Sequence, residues 1–192
     1  MPVPTAKSAV EVSPGCGYFS RVALNTKRLS VLVLALMACA FVTNAASASK
    51  LVVLDVELTG DLGGPEFVAE HEARLKLAST RLRERLSGTG LYQVVDSGPA
   101  QKTIDELKSR YLYLHECNGC DLDVGRQLGA DQVLVAWVNR VSGLILDLTY
   151  EIHDVASGQI AARKSFSFRG DNDSSWTHAI DYMVRDLAES AH

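Results

Sequence analysis

Residues 132–138 (QVLVAWV) are apolar on both of the faces a strand presents. Because side chains alternate sides along a strand, this segment must be covered twice and reads as a central strand. The chain around it alternates. Residues 50–58 (KLVVLDVEL) read as a largely buried strand with Asp55 and Glu57 on one side. At 66–87, Phe67, Leu75, Ala78, Leu82 and Leu86 recur at helical spacing, and Gly88 and Gly90 stop the helix. A short strand at 91–96 precedes a helix with Ile104, Leu107, Tyr111 and Leu114 on one face, then a short helix at 122–128. After the central strand, 144–153 and 159–169 form a hairpin around the turn 154–158. The last helix starts at Asp173 or Ser174 and carries Trp176, Ile180, Met183 and Leu187 on one stripe. The order β-α-β-α-α-β-β-β-α predicts an α/β (α+β) domain with a single mixed β-sheet of about five strands and helices packed on it.

That domain is expected at 49–192, behind a leader at 1–48. Arg21, Lys27 and Arg28 precede an apolar run at 31–42 (VLVLALMACAFV), and an AxA site follows at 46–48. A positive flank, a short hydrophobic core and small residues predict a signal peptide cleaved after Ala48. The run is shorter than the ~20 residues of a spanning helix, so no stable membrane span is expected after cleavage. A competing reading makes Leu36 to Cys39 a lipoprotein box with Cys39 as the lipidated terminus, although that box would cut the apolar core in half. Either way the expected location is the periplasm. Without the leader, 15 basic residues face 22 acidic ones, a net charge of -7. A nucleic-acid partner, which calls for a basic face, is not expected.

Two cysteines remain, in Cys117-Asn118-Gly119-Cys120. Three chemistries are open to them in an exported chain. A flexible Asn-Gly lets the pair close a small structural disulfide. Two thiols near a helix N-terminus can instead form a redox pair, although the strand that precedes such a motif in thioredoxin-type proteins is missing here. A zinc site with His115 lacks a second cysteine pair. Haem attachment fails because residue 121 is Asp, not His.

Elsewhere, Asp171, Asn172 and Asp173 lack the Gly and Glu of a calcium loop, and helix capping by Asp173 or Ser174 is the expected role of this segment. Trp137 and Trp176 read as core. His71, His115, His153 and His178 show no metal-binding helix spacing and read as surface or capping residues. Asp55 and Glu57 read as a solvated strand end rather than an acid/base pair. No phosphate loop, nucleophile elbow or dinucleotide fingerprint occurs, and no cofactor is implied.

The series LVVLDVEL, GLYQVVD, the CxxC, LGAD at 128–131 and RGDNDSSW at 169–176 resembles an exported bacterial family known only as a domain of unknown function. A looser similarity extends to the TolB N-terminal region and to CsgG-like and FlgO-like periplasmic α/β domains. It implies a non-enzymatic accessory or assembly role in the envelope, by fold kinship alone. Relatives of this kind are also associated with periplasmic quinoprotein alcohol oxidation, which no residue of this chain displays. Two functions are therefore expected to compete. One is binding of an unknown envelope protein through the sheet edge or the loop at 59–65, with Asp61, Gly63, Gly64, Arg169, Asp171, Asp173 and Trp176 as the candidate surface. The other is thiol-redox or metal chemistry at Cys117 and Cys120.

Overall fold

The computed structural model describes residues 48–190; the leader, its apolar run at 31–42 and Cys39 lie outside the described residues. Strands β1 (Ser49–Val53), β2 (Glu57–Gly60) and β3 (Tyr92–Val95) are interleaved with helix α1 (Val68–Thr89). Helices α2 (Gln101–Arg110) and α3 (Cys120–Gln127) follow, then β4 (Gln132–Arg140), β5 (Ile145–Asp154), β6 (Ile160–Arg169) and α4 (Asp173–Ser190). The strands form one sheet in the order β3-β1-β4-β5-β6, with β2 also on β4. β1 is parallel to β3 and β4, and the β4-β5-β6 portion is antiparallel. The expected mixed sheet is present, and 132–138 is central to it.

The sheet has six strands because the segment expected as one strand is two. Val53 pairs with Leu134 and Glu57 with Trp137, so four steps on one strand match three on the other. One extra residue is a β-bulge, which breaks the alternation of faces. Ser79 holds it, its hydroxyl accepting the Val56 N–H at 2.9 Å and donating to the Leu75 carbonyl at 2.7 Å. Asp55 and Glu57 are thereby separated. Asp55 turns outward to Arg83 (2.7 Å) and Lys108 (3.0 Å), whereas Glu57 points at the segment around His115.

Each sheet face has its own core. On the first, Ala78, Leu82 and Leu86 of α1 and Trp176, Ile180 and Met183 of α4 cover Leu51, Val53, Leu134, Leu146 and Leu148. α1 runs through Gly88, expected to help stop it, and ends at Gly90 with φ +72°. On the second, α2, α3 and the linker between them cover Val52, Leu54, Val133 and Val135. The apolar spacing predicts a longer α2 that includes Tyr111 and Leu114. The helix stops at Arg110; Tyr111 is extended, and Leu114 is buried in a separate turn at Leu114–Glu116. Asn172, rather than Asp173 or Ser174, caps α4, accepting the Ser175 N–H at 3.0 Å. Among the described residues no helix is long and apolar enough to cross a membrane.

Candidate functional site

The sequence-predicted residues fall in two places: a stapled crossing on the second face, and a pole where three loops meet.

At the crossing, Cys117 and Cys120 are bonded to each other, with Cα atoms 5.7 Å apart. Asn118 (φ +54°) and Gly119 (φ +103°) both adopt left-handed conformations, which Asn and Gly tolerate best. Cys120 is the first residue of α3, so the helix begins inside the ring and not at Leu122. Both cysteines are only 8% exposed and pack with Leu114, Val124 and Val155. Neither cysteine is open to a bulky redox partner.

Carboxylates pin the crossing on both sides. Glu57 accepts the backbone N–H of Leu114 (2.7 Å) and of His115 (3.2 Å) and contacts His115 Nδ1 at 2.6 Å. The His115 ring stacks on Trp137, with centroids 4.2 Å apart. This captured backbone explains why α2 cannot run on to Leu114. Beyond the ring, Asp121, whose side chain is 2% exposed, meets His153 Nδ1 at 2.5 Å, and Nε2 lies 2.9 Å from Glu151. Arg163 meets the same Glu151 at 3.1 Å. Burial opposes protonation of His153, but hydrogen bonds and attraction from Asp121 and Glu151 outweigh it and raise the pKa. Among the described residues no group of three or more His, Cys, Asp or Glu side chains is placed to hold a metal ion.

At the pole, Asp171 accepts from Arg74 Nη1 (2.8 Å), Arg140 Nε (2.7 Å) and Trp176 Nε1 (3.0 Å), with His71 Nε2 at 3.6 Å. Burial pushes its pKa up, yet the Arg140 hydrogen bond, the Arg74 charge and Trp176 hold it below the usual carboxylate range. Arg74 also reaches Asp173 (3.3 Å) and Glu70, and Arg140 reaches the Asp61 carbonyl. Backbone bonds join the same loops: Asp61 N–H to Arg140 O (2.8 Å), Gly170 N–H to Leu144 O (3.0 Å) and Asp171 N–H to Gly143 O (3.2 Å). Gly60 has φ +89°, and a Cβ there would lie 2.4 Å from the Arg140 oxygen, so only glycine fits.

Asp61, Asp171, Asp173 and Trp176 are thus brought together, with Gly63 and Gly64 on the adjoining loop and Arg169 at the end of β6. Trp176 is 2% exposed and Asp171 nearly buried, so both fix the loops from inside instead of offering surface. Exposed apolar side chains at this end are Leu62 and Phe67 before α1, Val68 at its first residue, and Val141, Leu144 and Ile145 around the β4–β5 turn, with the exposed carboxylates of Asp61 and Asp173 among them. A groove of about 360 Å³ lies between Leu58, Leu62, Pro65, Val68 and Leu75. Sequence reading missed Arg74, Arg140, Asp121 and Glu151, and it placed Glu57 at a solvated strand end, whereas the side chain is largely buried on the Leu114 and His115 amides. A signal existed for Arg74, a cation on the buried stripe with Ala78 and Leu82.

The sequence pattern of the DUF3280 family, described as "Protein of unknown function (DUF2380)", matches residues 49–187. The chain belongs to this family. No curated protein matches it. Similar solved structures include the C-terminal domain of LpoB from Escherichia coli, with 15% identity over 69% of this chain and 92% of that one and a TM-score of 0.46. The lipoprotein GNA1162 from Neisseria meningitidis is 17% identical over 73% and 99%, at a TM-score of 0.45. TolB from Acinetobacter baumannii, to which the sequence has a loose likeness, is 10% identical over 76% of this chain and 30% of that one, at 0.42. Likenesses at this level assign no partner and no activity. The DUF3280 match spans both the stapled crossing and the pole.

Proposed function

We propose that this DUF3280 protein is an exported, periplasmic accessory protein that acts by binding another envelope protein through the pole. The observation that carries the reading is the pairing of a rigid ion-pair lock at Asp171 with exposed apolar side chains on the loops that it ties together. A loop fixed before binding loses little entropy on association, and apolar side chains already at the surface supply the driving force. Leu62 and Val68 beside the groove are its natural contacts. Export rests on the leader at 1–48 and on the CxxC, whose disulfide suits an oxidising compartment.

The disulfide in this reading is a staple. Its burial beside Leu114 and Val124 supports that role over a redox centre, because thiol exchange needs an approachable sulfur. The test is cross-linking in periplasm of the producing bacterium, followed by capture and mass spectrometry, with wild type and Leu62→Asp/Val68→Asp in parallel. One specific protein should be recovered with wild type and lost with the variant at unchanged melting temperature. Recovery of the same protein by both, or of none by wild type, contradicts the proposal.

A further inference from the structure

We propose that β6 is a second docking edge, which takes an extended acidic segment of a partner as an added strand. β6 pairs with β5 along its length and, among the described residues, has no strand on its other side. Alternate residues of this ten-residue strand turn their backbone N–H and C=O away from β5, the arrangement that templates strand addition. The opposite edge is different in scale, since β3 has four residues.

Side chains beside the edge state what the added strand would carry. A recess of about 430 Å³ opens between β6 and α4, with Phe166, Phe168, Ala179 and Tyr182 forming its apolar part and Arg169 and His178 its polar end. Alternate apolar residues of an incoming strand fit the first part, and a carboxylate fits the second. The sequence of β6, IAARKSFSFR, has three cations and no acid in a domain of net charge -7. Glu151 takes Arg163 and Asp186 takes Lys164, whereas Arg169 is exposed and makes no ion pair among the described residues. A second copy of the chain would bring three further cations and no acid to the edge, so charge favours an acidic partner over self-pairing. This edge is argued independently of the pole.

The probe is a random twelve-residue peptide library on phage, panned on the purified protein. Enriched peptides should combine acidic residues with alternating apolar ones. A peptide so selected should protect amides within Ile160–Arg169 from exchange. Arg169→Glu should weaken it at least tenfold with no change in melting temperature, Arg169→Lys should largely retain it, and Leu62→Asp/Val68→Asp should leave it intact. No enrichment, enriched peptides without acidic residues, protection confined to other elements, or β6 protection in a peptide-free dimer would each overturn the inference.

Discussion

The two faces of the sheet are buried by different means. The first is covered by helices of 22 and 18 residues whose apolar stripes meet a continuous floor of Leu and Val. The second is covered by helices of ten and eight residues, below the length at which helices hold themselves in water. A disulfide and two carboxylate-bound histidines, His115 and His153, make up the difference there. Where an element brings enough apolar area, packing alone orders it; where it does not, covalent and polar ties fix the few residues that matter. The first face has its polar ties as well, Arg81 and Arg85 on Asp181 between its two helices and the Asp171 lock at its end, but no covalent one among the described residues.

The largest expected effect is at that lock. Asp171→Ala deprives the buried Arg74 and Arg140 of their shared carboxylate and should cost roughly 3 kcal/mol, since Glu70 and Asp173 remain to Arg74. A urea midpoint unchanged from wild type would show that packing alone orders the pole. At low pH the same lock should fail: the lowered pKa of Asp171 gives stability that is present above the ordinary carboxylate range and lost as pH falls through the lowered value.

Next in size is Cys117→Ser/Cys120→Ser. A ring this small should contribute about 2 kcal/mol, and its loss should appear first as faster amide exchange in α2 and α3. Equal acceleration in α1 and α4 would erase the distinction between the faces. Asn172→Ala, which removes the α4 cap, should cost about 1 kcal/mol, read as a lower melting temperature.

The smallest effect is the pH dependence of His153. Its pKa is raised in the folded protein, so its contribution is complete below the unfolded value of about 6.5 and is lost as pH rises through the folded value. Urea midpoints of His153→Gln should not share this decline, whereas a parallel decline in both proteins would place its origin elsewhere.

The central strand and both long helices were legible in the sequence because hydrophobic periodicity over many residues admits one reading. Local features decided by distant partners were not. The bulge after Val53 depends on the hydroxyl of Ser79, and the end of α2 depends on Glu57 taking the Leu114 and His115 amides. Asp61, Asp171 and Asp173 could be read as members of one functional region, but Arg74 and Arg140, which join them, stand on elements far apart in the chain. Trp176 was expected both in the core and on the partner surface; its indole N–H reaches Asp171 from inside the core.

Periplasmic capture repeated with the Cys117→Ser/Cys120→Ser protein, beside Leu62→Asp/Val68→Asp, tests the central claim most directly. A binding pole and a merely structural staple predict that the cysteine variant melts lower but still recovers the partner, while the pole variant melts normally and recovers nothing. A cysteine variant that folds but loses the partner, with the pole variant still binding, would place the function at the disulfide and contradict the account.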